Sequence, residues 1–139
     1  MTDTPTSSDI VSRYYAAFNA KDWGAMTGFL SDDVRHDVNE GAGRNGKARF
    51  ADFLQHMDHC YDETLTDVVI MTNDTGSRAA AEFIVNGIYK ETDGGLPPAS
   101  GQSYRLPAGA FFEIENGQIQ RVTTYYNLQH WIEQVQGDL

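Results

Sequence analysis

The polar residues of "RHDVNEG", residues 35–41, are the first candidates for chemistry in this chain. The segment is predicted to be a short strand followed by a turn, with His36 and Asp37 adjacent in it. Adjacent residues of a strand point to opposite faces, so only one of the two can face an interior. An inward His36 would offer an acid or base near neutral pH. An inward Asp37 in an apolar pocket would have a raised pKa and be a better base. The alternative is a solvated edge strand with incidental charges.

His56, His59 and Cys60 form a second group of chemically capable side chains, in a segment predicted to be helical. Histidine and cysteine bind zinc where several converge. The spacing gives a single good same-face pair, and no second cysteine or histidine pair supports it. We therefore predict no metal site. The glycine-rich "GAGRNG" lacks the Lys-Ser/Thr pair of a phosphate-binding loop, and no cofactor is predicted.

Composition and charge exclude several classes of protein. A chain of 139 residues with 40% hydrophobic residues is predicted to fold as one domain, residues 1–139. The formal net charge of -10 argues against binding to nucleic acid or to an anionic membrane. Cys60 is the single cysteine, which rules out an internal disulfide and favours a cytoplasmic location. The N-terminal "MTDTPTSSD" has no signal-peptide pattern, and no apolar run is long enough to span a membrane.

The order of elements predicts an α+β fold, in which a curved antiparallel sheet wraps around N-terminal helices. Apolar residues recur at helical spacing in the first half, after a capping box of Thr6 and Asp9. Asn116-Gly117 marks a hairpin turn in the second half. Such a sheet forms a cone with an internal pocket at its open end. Helices are predicted within residues 4–19, 23–30, 47–59 and 127–135, and strands at 34–39, 64–72, 78–91, 102–115 and 118–126.

Side chains on the inner faces of these elements are candidates for the pocket wall. They are mostly apolar, with a few polar groups between them. The predicted ligand-binding residues are Val38, Asn39, Phe53, Met57, Phe83, Val85, Ala110, Phe112, Thr124 and Tyr126.

The outer face of the predicted sheet mixes apolar and charged residues. A sheet face exposed to water would be more polar, so this face is predicted to meet a partner. We expect a homodimer through the outer sheet face. The apolar and aromatic residues that motivate this prediction are Ile84, Ile88, Phe111 and Tyr125.

Two segments, "VSRYYAAFNAKDWGAMTGFLSDDVRHDV" and "FFEIENGQIQRVTTYYNLQHWIEQV", carry a family resemblance. The first resembles the N-terminal half of the ketosteroid isomerases, and the second resembles the last hairpin of the wider nuclear transport factor 2-like superfamily. That superfamily includes the SnoaL-like polyketide cyclases. The likeness runs in order from about Ile10 to Val135. It implies the cystatin-like cone fold, while the superfamily hosts isomerases, dehydratases, cyclases, hydrolases and non-enzymatic binders.

The resemblance implies roles for three positions. In ketosteroid isomerase, an aspartate base moves a proton while a tyrosine and a protonated aspartate stabilise the enolate. The tyrosine corresponds to Tyr14. The base corresponds to Val38, or to Asp37 one residue earlier, and the protonated aspartate falls near Ala110, where there is no carboxyl group. Efficient steroid isomerisation is therefore not expected.

Two hypotheses for the function follow. The first is a cofactor-independent isomerase, dehydratase or cyclase for a small, largely apolar or cyclic, oxygen-bearing ligand. Its catalytic residues would be Tyr14, as a donor to oxygen, and His36 or Asp37, as the group that moves the proton. The second is a binding protein or dimeric interaction module with the same pocket and no chemistry. The missing carboxyl group near Ala110 favours the second hypothesis, whereas the polar cluster at 36–39 favours the first.

Overall fold

The computed structural model describes residues 5–39 and 41–136. The prediction that the chain begins without a signal peptide rests partly on residues 1–4, which lie outside this range. No helix among the described residues has both the length and the apolar character needed to cross a membrane. The elements are α1 (Ser7–Asn19), α2 (Trp23–Gly28), β1 (Leu30–Val38), β2 (Arg44–Asn45), α3 (Lys47–Cys60), β3 (Tyr61–Thr72), β4 (Arg78–Tyr89), β5 (Ser103–Glu115), β6 (Gln118–Tyr126) and α4 (Leu128–Gln136).

The predicted capping box begins α1. The Thr6 hydroxyl accepts a hydrogen bond from the Asp9 backbone N–H at 3.1 Å, and the Asp9 carboxylate accepts one from the Thr6 backbone N–H at 3.2 Å. These bonds satisfy donors that a helix start leaves free. The helix then buries a stripe of apolar and aromatic residues, which is Ile10, Val11, Tyr14, Tyr15 and Ala17.

The α+β prediction is confirmed: helices pack against a curved sheet of six strands in the order β2-β1-β6-β5-β4-β3. The strands from β3 to β6 form an antiparallel meander. One pairing differs from the predicted antiparallel sheet, because β1 runs parallel to β6. Parallel neighbours need a long connection, and most of the chain lies between these two strands. Local alternation cannot reveal the direction of such a distant partner.

Several local boundaries also differ from the prediction, and β1 begins at Leu30 instead of residue 34. Arg44 and Asn45 lie outside the predicted helices and strands but form β2, which pairs with His36 and Arg35 of β1. This short strand covers the edge of β1, which would otherwise carry unpaired backbone groups. Strand β3 begins at Tyr61, earlier than the predicted start at residue 64.

The predicted hairpin between β5 and β6 is present. Asn116 and Gly117 both have positive φ, 53° and 73°, as the two central residues of a type I′ turn require. Pro107, which lies in β5, is paired with Ile84 without a register shift, so no bulge occurs there. The pairing of β5 with β6 begins only at Ala108. Pro107 therefore lies where β5 has one neighbouring strand, which suits a residue without a backbone donor.

A glycine in β4 lets a side chain of β5 reach over that strand and form a hydrogen bond with a residue of β3. Gly87 is paired with Glu63 on β3 and with Tyr104 on β5. A Cβ atom at Gly87 would overlap the Tyr104 ring. Without it, the ring lies over β4, and its hydroxyl donates to the Glu63 carboxylate at 2.6 Å.

We predict that Gly87→Ala destabilises the protein because the new methyl group has to displace the Tyr104 ring. The expected loss in free energy of unfolding is about 1–3 kcal/mol, as for other overpacked interiors. Urea denaturation measures it. Gly94→Ala is the matched control, since a Cβ there meets nothing within 4 Å, and its effect should stay within about 0.5 kcal/mol. Equal stability of the two variants would contradict the prediction.

Candidate functional site

A cavity of about 330 Å³ lies between the helices and the inner face of the sheet. Its volume is at the lower end of the range usual for small-molecule sites. Most of the lining is apolar, from residues such as Phe18, Met26 and Leu106. The polar or titratable groups in it are Tyr14, Tyr15, His36, Arg44, His56, Tyr61, Glu63, Asp93, Thr124 and Tyr126.

Most of the side chains singled out from the sequence lie around this cavity. The lining includes Tyr14, His36, Val38, Phe53, Met57, Phe83, Val85, Thr124 and Tyr126. Four others lie elsewhere: Asp37, Asn39, Ala110 and Phe112.

Asp37 lies on the opposite sheet face from His36. Its carboxylate accepts hydrogen bonds from the Arg35 Nε at 3.1 Å and from the Thr123 hydroxyl at 3.0 Å. The bond from Arg35 is the main reason why the pKa of Asp37 lies below its usual value. Asp37 is therefore a poor base facing away from the cavity. The expectation that it could act there is wrong, because strand alternation leaves only His36 inside.

Asn39 has a structural position at the end of β1 instead of a place in the cavity wall. Its φ of 48° turns the chain out of the strand. Its backbone N–H donates to the Thr124 carbonyl at 2.9 Å, and its side-chain oxygen accepts from the Tyr126 backbone N–H at 2.8 Å. These bonds fasten the end of β1 to β6.

Ala110 and Phe112 belong to the core behind the cavity. Both are buried, on the inner face of β5. The Phe112 ring packs edge-on against Tyr14 and Tyr15, with ring centroids 5.8 and 5.9 Å away. Neither residue is in the cavity lining, contrary to the prediction. Phe112 instead supports the two tyrosines that line the cavity.

His36 is held between two aromatic rings and is only 3% exposed. Its ring centroid lies 4.3 Å from that of Phe50 and 4.6 Å from that of Phe53. Burial, helped by the nearby Arg44 charge and opposed by Asp37, lowers the pKa of His36 to about 4. The imidazole is therefore neutral at physiological pH. Its Nδ1 atom is buried without a hydrogen-bond partner among the described residues, which is costly for a polar atom.

Tyr14 brings a phenol to the same cavity. Its ring packs edge-on against Tyr15, with centroids 5.0 Å apart. Burial raises the pKa of Tyr14 far above its ordinary value. The hydroxyl therefore keeps its proton and can donate it in a hydrogen bond.

Glu63 is a carboxylate in the cavity wall that sequence reasoning missed. Tyr104 donates to one of its oxygens at 2.6 Å. Burial raises the pKa of Glu63, against the smaller opposing effects of the Tyr104 bond and the Lys21 charge. The predicted strand started one residue too late to include it. A signal was present, because Glu63 is in alternation with Leu65, which faces the interior.

His56, Tyr61 and Asp93 form a second group that lines the cavity, and of these three only His56 was singled out from the sequence. The Asp93 carboxylate accepts a hydrogen bond from the Tyr61 hydroxyl at 2.7 Å, and its other oxygen lies 2.9 Å from the His56 Nε2. Asp93 lies in the connection between β4 and β5, which is rich in glycine and proline and lies outside the predicted helices and strands. No sequence pattern links that connection to α3.

Comparisons with known proteins agree with this architecture. Residues 11–122 match the family model of the SnoaL-like domain. A crystal structure of a putative polyketide cyclase from Pseudomonas putida shares 58% identity and a TM-score of 0.93, covering 94% of this chain and 98% of that one. Another, from Xanthomonas campestris, shares 54% identity and a TM-score of 0.90, covering 93% and 96%. A LEH-like epoxide hydrolase from M. tuberculosis, at 15% identity, a TM-score of 0.74 and coverage of 94% and 89%, shares the fold. No curated protein matched the chain.

We predict that buried His36 makes the protein lose stability as the medium becomes acidic. The unfolded chain takes up a proton at this histidine near pH 6.5, whereas the folded chain resists until about pH 4. The contribution of neutral His36 to the free energy of unfolding is therefore fully present above about pH 6.5. It falls by up to about 3 kcal/mol as the pH drops to about 4. Urea unfolding at several pH values measures the slope. His36→Phe keeps the aromatic packing but removes the titrating group, so its stability should change less steeply with pH. An identical slope in both proteins would contradict the prediction.

Proposed function

We propose that this chain, which belongs to the family of SnoaL-like domains, binds a small, largely apolar, oxygen-bearing ligand in the cavity and moves a proton on it. One observation carries the proposal. Two titratable groups of the same cavity have pKa values displaced in opposite directions, downwards for His36 and upwards for Glu63. Perturbed titratable groups that share one largely apolar cavity are typical of catalytic sites.

Glu63 is the proposed base. Its raised pKa makes the carboxylate a stronger proton acceptor than an exposed glutamate. Tyr104 occupies one carboxylate oxygen and fixes its direction, which leaves the other oxygen for a proton of the ligand. Preorganisation of this sort lowers the cost of reaching the reactive geometry.

Tyr14 and His36 are the proposed donors to the ligand oxygen. Both are neutral hydrogen-bond donors within an apolar wall, and both are fixed by aromatic packing. A neutral imidazole keeps one N–H, so His36 can donate to a ligand oxygen without carrying a charge. Fixed donors in a site with little water stabilise developing negative charge strongly.

The reaction class is enolisation next to a carbonyl group. Glu63 takes a proton from the carbon beside the carbonyl, the C–H electron pair forms the enolate, and Tyr14 and His36 stabilise its oxygen. Return of the proton to another carbon gives isomerisation. Attack of the enolate carbon on a second carbonyl of the same ligand closes a ring: the C=O π bond of that carbonyl breaks, and Glu63 returns its proton to the alkoxide that forms. The relatives described as putative polyketide cyclases favour ring closure. The steps use protein groups alone.

A non-catalytic binding protein with the same cavity is the second candidate. The observation that favours it is Ala110, since the position that carries the protonated aspartate in ketosteroid isomerase has no carboxyl group here. The same cavity would then hold a ligand without chemistry. Ligand binding and proton transfer have to be measured separately to separate the two candidates.

Proton exchange on β-tetralone, an apolar bicyclic ketone, tests the proposed base. In heavy water, the enzyme should speed the loss of the α-hydrogen signals in proton NMR spectra. Glu63→Gln should slow this exchange roughly 10²- to 10⁴-fold, the usual contribution of a general base. Glu82→Gln, an exposed residue of β4, is the matched control and should leave the rate unchanged.

Quenching of tryptophan fluorescence by the ketone measures binding independently, because Trp131 lines the cavity. Quenching with the same midpoint in Glu63→Gln and in the unaltered protein, together with equal exchange rates, would favour the binding-protein alternative. Slower exchange with unchanged quenching supports Glu63 as the base.

We also propose a homodimer through the outer sheet face. Phe111 and Tyr125 are 47% and 52% exposed there, and their rings contact each other with centroids 6.0 Å apart. Ile88 on β4 is 44% exposed. Exposed aromatic residues of this kind are typical of protein interfaces, and covering them with a second copy would remove apolar surface from water.

The homodimer proposal predicts a particle of twice 15.5 kDa in light scattering at micromolar concentration. Phe111→Lys should shift the mass to the monomer, because a charge at the centre of an apolar contact loses its hydration. Leu128→Lys, at an exposed apolar position on α4, is the matched control and should stay dimeric. A monomeric unaltered protein would overturn the proposal.

The cytoplasm remains the proposed location. Cys60 is a free, buried thiol, and a reducing compartment keeps such a thiol in that state.

A further inference from the structure

We propose that His56, Cys60 and Asp93 form a binding site for zinc or a similar divalent transition-metal ion at the cavity. One ligand atom from each of these residues lies within 4.8 Å of the other two. The sequence prediction of no metal site rested on a single pair of helical residues without a further ligand. The fold supplies that ligand from the connection between β4 and β5, which lies far from α3 in the sequence.

The separations of the ligand atoms bracket those of a tetrahedral zinc site. Zinc bonds of about 2.0–2.3 Å imply ligand atoms about 3.4–3.6 Å apart. The His56 Nε2 lies 2.9 Å from the Asp93 oxygen and 4.0 Å from the Cys60 sulfur. A small displacement of the His56 ring from Asp93 toward Cys60 makes both of these separations fit. The Cys60 sulfur and the Asp93 oxygen, which lie within 4.8 Å of each other, have to approach by up to about 1 Å as the ion binds. His56 is exposed, so its ring is free to make that movement.

Hydrogen bonds to residues other than the three ligands already hold Asp93 and Cys60 in place. The Tyr61 hydroxyl donates to one Asp93 oxygen at 2.7 Å and leaves the other facing His56. The Asp93 backbone N–H donates to the Tyr89 hydroxyl at 2.9 Å. The Cys60 carbonyl accepts a hydrogen bond from the Lys90 backbone N–H at 2.7 Å, which ties the end of α3 to the connection that carries Asp93. Outer bonds of this type orient the ligands of metal sites.

The chemistry of the three ligands selects the ion. A set of nitrogen, sulfur and oxygen donors suits zinc and cobalt, whereas magnesium and calcium prefer oxygen alone. The thiol releases its proton on binding, and the resulting thiolate and the Asp93 carboxylate together balance the charge of a divalent ion. Three protein ligands leave one tetrahedral position open. Because His56 and Asp93 line the cavity, the open position can accept an oxygen of a cavity ligand.

Titration with cobalt(II) chloride tests the site on the full chain kept reduced. A bound ion should produce a thiolate-to-cobalt charge-transfer band in the near ultraviolet and the intense visible bands of a four-coordinate ion, saturating at one ion per chain. Zinc should displace the cobalt and abolish the bands. Cys60→Ala and His56→Gln should each remove the charge-transfer band, while circular dichroism checks that both variants remain folded.

His59→Gln is the matched control, because His59 is an exposed histidine of the same helix outside the three ligands. It should bind cobalt like the unaltered protein. Tyr61→Phe keeps the ring and removes the bond to Asp93, so its affinity should fall about 10- to 100-fold. The proposal is overturned if the unaltered protein gives no charge-transfer band, or if His56→Gln and His59→Gln bind equally. Cobalt binding needs no catalysis, so its outcome is distinct from that of the exchange assay.

Discussion

The pairing of β1 with β6 is the constraint on which the candidate site depends. The register places His36 beside Val122 and Asp37 beside Thr123. Because neighbouring strands of a sheet share their inner and outer faces, this register turns the imidazole into the cavity and the carboxylate out of it. A shift of one residue would exchange the two side chains. The bonds of Asn39 to Thr124 and Tyr126 hold the end of β1 in this register.

Burial away from bulk water explains why the titratable groups of the cavity differ from those on the outer sheet face. Desolvation opposes charge in either sign, so it lowers the pKa of His36 and raises that of Glu63. The pKa of Asp37, which accepts a hydrogen bond from Arg35 on the outer face, is lowered, whereas that of Glu63 is raised. Two carboxylates of the same sheet thus acquire different chemistry from their surroundings. The enolate chemistry that we propose rests on this combination of a neutral imidazole, a neutral phenol and a basic carboxylate.

The connection between β4 and β5 adds a second set of polar groups at the cavity. It folds back over the end of α3 because the carbonyl of Cys60 accepts backbone hydrogen bonds from Lys90 and Glu91. The buried Tyr89 ring also anchors it, through its hydroxyl bonds to the Asp93 backbone N–H and to the Pro97 carbonyl. A segment that composition alone describes as an exposed loop therefore gains a fixed position near His56.

The sequence by itself determined the features that arise from neighbouring residues. The capping box of Thr6 and Asp9, the turn at Asn116-Gly117 and, apart from β2, the order of helices and strands all follow from local spacing, and each is present. The segments that resemble the ketosteroid isomerases also identified the fold and placed Tyr14 at the cavity. Residues with the same parity along a strand share a face wherever the strand lies, which is why most predicted lining residues were found there.

Only the tertiary structure decided which distant groups meet. The face taken by His36 depends on a partner strand more than 80 residues away, and the bond between Glu63 and Tyr104 requires a glycine on the strand between them. The approach of Asp93 to His56 and Cys60 depends on the path of a long connection. Such contacts leave no periodic pattern in the sequence, because they are set by the packing of whole elements.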